Sequence, residues 1–484
     1  MKSWLFKSIL IVCVFAVTWI MALYYWQTSH RVPNGFDIGI YFLAIPLGIL
    51  LTLWLAVISW NTIKNKTNLP EVTDSTADST DSAGDEQARL LSATILSSAV
   101  YMQHGRSSGE LFNAVKSNAL EMSLDPQLVD ANGFPILTAR IADLDEETQR
   151  TLLSEWAEDH QLTVTSWTSE QIRAIAASSE VVKQLLFEAL NHPSIDSYLE
   201  ETNLHQKALI ELPSLTLSFF HPAHWNKSVC ETTQAWLESI AQEQGWPKEK
   251  FNIKLYPQRH FIQSVKLLDN IMAEGQTHSH PIFNMVISCA SFIDETVADS
   301  WTTHLTQLFG EKHDPHAIPS EGAAGLLISD NSIAALYESS SKTTLHKPWF
   351  LEIDTNQQSS DTERKNILAD LISHALENIK ITADQIKFVS SDTSSYSKKL
   401  LELFNIGGDL FPNLDAGEHY FSSSNQCGIT GTSASLLGLS LAHEAVKQNE
   451  NDAAVFISHM DQNTRAVAII NAYNSIEPPE HQPS

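Results

Sequence analysis

Two long apolar runs open the chain, before any pattern that is typical of a globular domain. Residues 8–26 form a nearly unbroken apolar run, and residues 38–60 form a second run with no acidic or basic side chain. A helix needs about 20 apolar residues to cross the hydrocarbon core of a bilayer. Trp26 and Trp60 end the two runs, where amphipathic rings favour the membrane interface. The pattern predicts a two-helix transmembrane hairpin over residues 1–66.

Two other interpretations of these runs are open. The first run could be a signal peptide, but it ends in bulky aromatic residues and has no clean small-residue cleavage site. Both runs could also be buried core helices of a globular domain. The hairpin accounts for both runs and their aromatic ends, so we expect it.

After the hairpin, the hydrophobic pattern stops and then resumes as alternating strands and helices. Residues 67–87 contain the stretch EVTDSTADSTDSAGDEQ, which cannot bury apolar area and predicts a disordered acidic linker. Residues 88–205 mix strand-like and amphipathic stretches and predict an α/β subdomain. From 206, buried-strand patterns alternate with amphipathic helices twice, over 206–332 and 333–484. This alternation predicts an α/β fold of two similar halves with parallel sheets covered on both faces.

The charged residues indicate the orientation of the hairpin in the membrane and exclude some classes of partner for the soluble part. Lys2, Lys7, Lys64 and Lys66 flank the two runs, whereas only Arg31 lies between them. By the positive-inside rule both termini are cytoplasmic, which predicts a two-pass protein of the bacterial inner membrane. The formal net charge of −27 argues against nucleic acid and against anionic lipid as partners of the soluble part. We therefore expect a protein partner with a basic or neutral surface.

Three stretches resemble the thiolase superfamily, and β-ketoacyl synthases in particular. PSEGAAGLLIS (319–329) is similar to the family's GEGAGALVL strand, and SSSNQCGITGTSASLLGLSLAHEAV (422–446) is similar to its KSxxGHxxGAAG segment. HFIQSVKLLDNIMAEG (260–275) is similar to the helix that follows the nucleophile. The resemblance covers the chain from about Leu209 onward. It implies a layered αβαβα core of two βαβαβαββ halves.

The same resemblance implies that the catalytic groups are missing. Counting back from Gly275 places the nucleophile position at Gln258, and the motif histidine corresponds to Ile429. Ser424 occupies the position of the motif lysine. The turn that carries the second histidine in the family corresponds to residues 390–396, which contain no histidine. Acyl transfer needs the thiolate, and the histidines polarise a carbonyl and move protons. The degenerate pocket is expected to be lined by Gln258, Arg259, His260, Ser391, Thr393, Cys427, Gly428 and Ile429.

The sequence gives weaker support for a metal site or a reactive cysteine. His278, His280, His313 and His316 could hold a metal, but no carboxylate pattern completes a set, so we expect neither a metal nor a cofactor. Cys289 lies in an apolar strand and is expected to be an inert buried thiol. Cys427 precedes a helix, where a lowered pKa is conceivable, although a structural role is the stronger interpretation.

A narrower resemblance concerns adapter proteins of type VI secretion clusters, which deliver a lipase effector. Residues 320–329 and 428–446 are similar to the glycine- and alanine-rich units of that family. The resemblance implies a non-catalytic, membrane-anchored scaffold that binds a protein partner. The alternatives are an acyl-transferring or condensing enzyme with relocated groups, such as Cys427 or His260, and an acyl-chain binding module. An acyl-carrier partner is disfavoured because both proteins would be acidic.

We also expect a homodimer. Thiolase-like proteins usually pair through the strand after the nucleophile helix, which here is IFNMVISCAS (282–291). An apolar strand at the edge of a sheet invites such pairing.

The lysine bias predicts a cytoplasmic soluble domain. In intact spheroplasts, the region after residue 66 should resist external protease and should be digested once the cells are lysed. Digestion in intact spheroplasts would place the domain on the opposite side and contradict the orientation.

Overall fold

The computed structural model describes most of the chain after residue 90. The described ranges are 91–129, 133–162, 166–203, 211–277, 281–296, 318–338, 341–353, 361–393, 397–448, 452–461 and 463–473, together with Thr18, Trp19 and Pro46. The acidic linker lies outside these residues, and so do both apolar runs apart from the three residues just named. No helix within the described ranges is both long enough and apolar enough to span a bilayer.

The first series of elements extends to Ala334 and alternates strands with helices. Its helices begin at side chains that cap the free amides of the first turn, such as Ser107, Asp145, Thr168 and Asn226. The strands are β1 Ser92–Met102, β2 Ser123–Val129, β3 Pro135–Thr138, β4 Leu215–Pro222, β5 Phe251–Gln258, β6 Phe283–Ser291 and β7 Glu321–Ser329. The helices are α1 Ser108–Lys116, α2 Glu146–Asp159, α3 Ser169–Ala189, α4 Ile195–Asn203, α5 Lys227–Glu243, α6 Gln263–Thr277 and α7 Asn331–Ala334.

The second series extends from Thr343 to Ala472. Its strands are β8 Thr343–His346, β9 Trp349–Glu352, β10 Ile386–Ser391, β11 Tyr420–Ser422, β12 Ala453–Ser458 and β13 Thr464–Ala472. Its helices are α8 Asp361–Ile379, α9 Ser397–Leu410, α10 Ser423–Cys427 and α11 Ala434–Lys447.

Strand order shows that the two series are equivalent halves. The main sheet runs β5-β4-β6-β7-β1 in the first half and β11-β10-β12-β13-β8 in the second. In each half the first three of these strands are parallel and the last two are antiparallel to their neighbours. β1 pairs with β8 and joins the halves, and β9 pairs with β13. The predicted two-half α/β core is confirmed.

The alternation of side chains along the strands builds the layers. Phe388, Ala454 and Phe456 face a central core that both halves share. Their neighbours Val389 and Val455 face an outer core with α8 and α9. A third core on the outer side of the first half contains α3 and α5. The resulting order is helix, sheet, helix, sheet, helix, with α11 in the central layer.

The sequence pattern predicts a separate subdomain over residues 88–205, but this region does not form one. β1 lies between β7 and β8 at the junction of the two halves, and α3 packs on the first half-sheet. Within this region, β3 pairs with β2, and Ala139 directly after β3 forms an isolated bridge with Ser320. The segment is therefore part of the first half, since its apolar residues are buried in the same core as β4 and β6.

The strand expected at an open sheet edge, β6, is in the interior, so that placement is wrong, whereas the homodimer itself stays a prediction. β6 pairs with β4 on one side and with β7 on the other. Its apolar sequence reflects burial on both faces rather than an open edge. β5 is the edge strand instead, and it carries Lys254 and Pro257, residue types that oppose edge-to-edge pairing.

Gly438 of α11 tests how tightly the central layer is packed. A Cβ added there would lie 2.6 Å from Cε2 of Phe456, whereas Gly408 of α9 has no atom within 4 Å of such a Cβ. Gly438→Ala should lower the free energy of unfolding by about 1–3 kcal/mol through overpacking. Gly408→Ala is the matched control and should raise it by up to about 1 kcal/mol through helix propensity. Denaturant unfolding of both variants measures this, and equal effects would contradict the packing.

Candidate functional site

Residues 258–260 and 391–393 of the predicted pocket lie at the carboxyl ends of the parallel strands β5 and β10, where α11 begins. The third predicted segment, 427–429, contacts Ile318 instead. Ser435 of α11 lies 3.0 Å from the carbonyl oxygen of Phe261 and 3.1 Å from Oδ2 of Asp392, and its single hydroxyl proton serves one of them at a time. Ser422 and Ser424 donate to the carbonyl oxygen of Thr393, at 3.1 and 3.3 Å. The structure thus brings together the segments around 258–261, 391–393 and 422–424. Residues 394–396 of the expected pocket lie outside the described ranges.

Gln258, which the sequence resemblance assigns to the nucleophile position, ends β5. Its side chain is buried, and its Oε1 accepts a hydrogen bond from the Ser288 hydroxyl at 3.2 Å. Its Nε2 donates to the carbonyl oxygen of His260 at 3.3 Å. The amide therefore connects β6 to the turn before α6.

Arg259 and His260 lie at the exposed rim of this turn. Gln263 accepts hydrogen bonds from both of their backbone amides, at 2.6 and 3.1 Å, and so shapes the start of α6. Nδ1 of His260 lies 3.6 Å from Oδ2 of Asp461, with 65 % of its side chain exposed. His260 therefore faces solvent rather than the buried polar groups beside it.

Cys427, Gly428 and Ile429 hold a backbone connection between the halves. Gly428 has a φ of 74°, and a Cβ there would lie 2.8 Å from the carbonyl oxygen of Ile318. The Ile429 amide donates to that same oxygen at 2.7 Å. Burial raises the pKa of the Cys427 thiol to about 12, so the lowered pKa that the sequence made conceivable is not found.

Asp392 is the polar centre of the site, and sequence analysis did not single it out. It is fully buried in the turn that follows β10. Its carboxylate accepts hydrogen bonds from the Ser458 hydroxyl at 2.5 Å and from the amides of His459 at 3.0 Å and Met460 at 3.3 Å. Burial raises the pKa of Asp392, while these donors, Ser435 and the charge of Lys399 oppose the shift.

The residues around Asp392 form further hydrogen bonds with one another. Lys399 donates to the carbonyl oxygens of His459 and Met460, at 2.7 and 2.9 Å. Thr393 Oγ1 lies 3.1 Å from Nε2 of His459 and also contacts the Ser391 hydroxyl. Burial lowers the pKa of Lys399 to about 8 and, helped by Lys399 and Arg465, that of His459 to about 3. His459 is therefore neutral at physiological pH.

One signal in the sequence could have pointed to this network. SSD at the end of β10 and SHMD after β12 are polar residues that directly follow buried apolar strands. Since the carboxyl ends of neighbouring parallel strands meet at one edge of a sheet, such residues converge. The pairing itself joins positions that are 66 residues apart, which spacing does not show.

No metal site is found among the described residues. Within the described ranges, no group of three or more His, Cys, Asp or Glu side chains could hold a metal ion. The candidate histidines 278, 280, 313 and 316 lie outside those ranges.

Comparisons with solved structures support the fold. No protein-family model and no curated protein matches the chain. The structure is similar to the ishigamide ketosynthase/chain length factor, at 12 % identity and a TM-score of 0.51 over 79 % of this chain and 100 % of that one. It is similar to AntDE:AntF, a type II PKS acyl-carrier protein in complex with its ketosynthase, at 10 % identity and a TM-score of 0.52 with the same coverage. It also matches the PfaC keto synthase-chain length factor at 11 % identity and a TM-score of 0.50, over 84 % of this chain and 45 % of that one. The chain therefore has the thiolase-like fold.

The buried histidines should make stability depend on pH. The pKa of His459, and that of His443 in α11, is lowered to about 3 by burial, whereas a free histidine titrates near 6.5. Below pH 6.5 the unfolded chain binds more protons than the folded chain, so stability is lost as the pH falls toward 3. Each histidine should contribute about 1.4 kcal/mol per pH unit within this window.

Unfolding free energies measured between pH 7 and pH 5 give the slope. His459→Gln should flatten it, because the variant no longer takes up that proton on unfolding. His260→Gln, at the exposed rim, is the control for the same chemical change. An unchanged slope in His459→Gln would contradict the assignment of His459 as a buried neutral group.

Proposed function

We propose that this protein is a non-catalytic, thiolase-like scaffold that binds a protein partner. The observation that carries the proposal is the state of Gln258, whose amide occupies the nucleophile position and is hydrogen-bonded to Ser288 and to the carbonyl oxygen of His260. An amide cannot supply the nucleophile that acyl transfer needs. Ile429, in the place of the motif histidine, contributes a backbone bridge between the halves instead of a proton-transferring ring.

The described cysteines also support this proposal. Burial raises the pKa of Cys289 and Cys427, and burial together with Glu231 raises that of Cys230. A thiol with a raised pKa is a poor nucleophile at neutral pH, since the thiolate is the reactive form.

The proposal also includes the membrane anchor at residues 8–60, a cytoplasmic domain, and a secreted lipase effector of a type VI system as the partner.

A second candidate is an acyl-transferring enzyme with relocated groups, and one contact favours it. Cys230 Sγ lies 3.7 Å from Nε2 of His221, so a thiol and an imidazole are adjacent near the start of α5. Burial lowers the pKa of His221 while that of Cys230 is raised. Both shifts favour the neutral pair over the thiolate–imidazolium pair, which makes this candidate weaker than the scaffold.

Acyl labelling of the full-length chain in detergent tests the proposal. The native protein should gain no mass from acyl-CoA and should react with iodoacetamide far more slowly than the urea-unfolded chain, which serves as the positive control. The same native protein should retain a specific partner in pull-downs from its host. Stoichiometric acylation at Cys427 or Cys230, abolished by the corresponding Cys→Ala change, would falsify the scaffold and favour the enzyme.

A further inference from the structure

The hairpin of β2 and β3 presents large apolar side chains to solvent. Leu124 lies opposite Leu137 in its register, and Val129 lies opposite Pro135. Leu124 is 63 % exposed, Leu137 46 %, and Phe134, which directly precedes β3, 69 %. Directly opposed residues of an antiparallel pair point to the same face. The hairpin thus has an apolar outer face, whereas soluble proteins normally expose such residues singly.

The inner face fixes the hairpin on the first half of the fold. Leu128 and Ile136 pack against Ile293, which follows β6. Asp125 is buried and accepts hydrogen bonds from the Thr138 hydroxyl at 2.8 Å and from Nε of Arg140 at 2.7 Å. The outer face is therefore held in a defined orientation by contacts on the opposite side of the same two strands.

A cleft of about 680 Å³ lies beside β2, where the exposed residues Pro126 and Gln127 line it together with Leu128 of the inner face, and it carries an excess of negative charge. Each of its three arginines is paired with a carboxylate: Arg140 with Asp125, Arg150 with Glu146 and Arg173 with Glu321. Four further carboxylates line the cleft and form no ion pair with any described residue: Asp145, Glu147, Asp294 and Glu295. The cleft therefore favours positively charged groups.

We propose that the outer hairpin face and this cleft form one docking surface for an amphipathic segment of a partner protein. The apolar side chains of that segment pack on Leu124 and Leu137, and its Lys or Arg side chains enter the cleft beside Glu147 and Glu295. This inference rests on the proposed scaffold function and assigns the binding surface and the chemistry of the partner.

The negative charge of the cleft favours this occupant over three alternatives. A second copy of the chain has a formal net charge of −27 and is repelled by the cleft. An anionic membrane surface is repelled for the same reason. The chain's own residues 297–317 carry one lysine, Lys312, against Asp299, Glu311 and Asp314. A basic segment of a different protein is the occupant that complements the surface.

Site-specific cross-linking of the full-length chain in its own host identifies the occupant. A photoreactive phenylalanine at Leu137 should capture a protein segment that contains both apolar residues and Lys or Arg. The same group at Leu401, an equally large apolar residue that is 58 % exposed on α9, is the control and should capture nothing specific.

The captured segment, synthesised as a fluorescent peptide, allows the affinity to be measured on the purified chain. Leu137→Ser and Phe134→Ser should each weaken binding about tenfold, as truncation of an apolar anchor does. Leu401→Ser and Phe187→Ser, which change exposed residues elsewhere, should leave it unchanged. Glu147→Gln combined with Glu295→Gln should weaken binding and reduce its dependence on salt.

Several outcomes overturn the docking surface. These are a cross-link to a second copy, to residues 297–317 or to lipid, the absence of a cross-link above the Leu401 control, and a segment without basic residues. A partner that still binds Leu137→Ser with full affinity also overturns it and leaves the scaffold function standing. Acylation of the native chain sinks the scaffold function instead, so the two failures are distinguishable.

Discussion

Burial of α11 between the two half-sheets is the constraint on which the rest of the structure depends. Every residue from Ala434 to Val446 is buried, so the helix has no solvent face and its polar groups need partners inside. Ser440 donates to the carbonyl oxygen of Gly325 in the first half, and His443 contacts Thr343 in the second. Small residues such as Gly438 let the sheets approach the helix closely. Both halves are thereby positioned against one element, which also places Ser435 between the strand ends.

A buried ion pair fixes the part of the chain before β4 to this core. Arg173 of α3 holds Glu321 of β7 through two hydrogen bonds of 2.6 Å, and Glu321 also accepts from the Ile141 amide. Removal of one partner of such a pair typically costs about 3–5 kcal/mol, because the other charge is left buried and unpaired. The pair therefore holds α3 and the segment before α2 on β7, which orients one wall of the acidic cleft.

The sequence predicts the strands that are apolar throughout and the helices that are amphipathic, because burial on two faces or on one face leaves a direct pattern. It misses β1, in which Ser92, Ser97 and Ser98 interrupt the apolar run although the strand pairs on both sides in the main sheet. It also misplaces β6, because an apolar strand looks the same at an edge and in the interior. Gln258 and Ile429 could be assigned by resemblance to known motifs. The Asp392 network could not, because its partners come together only when the strand ends converge.

A junction site built from an amide, an aliphatic side chain and a hydrogen-bonded carboxyl group is consistent with the stability of the fold. A catalytic thiolate and its histidines place charge or reactive groups in a region that excludes water, and burial of charge is costly unless it is compensated. Here Gln258 and Ile429 are uncharged, and Asp392, the buried carboxylate, has Ser435, Ser458 and two backbone amides as donors. These contacts connect β10 and β12 to α11, and Ser435 of α11 also lies 3.0 Å from the carbonyl oxygen of Phe261 in the first half. The docking surface that we propose, the hairpin and the cleft on the first half, does not use these buried groups.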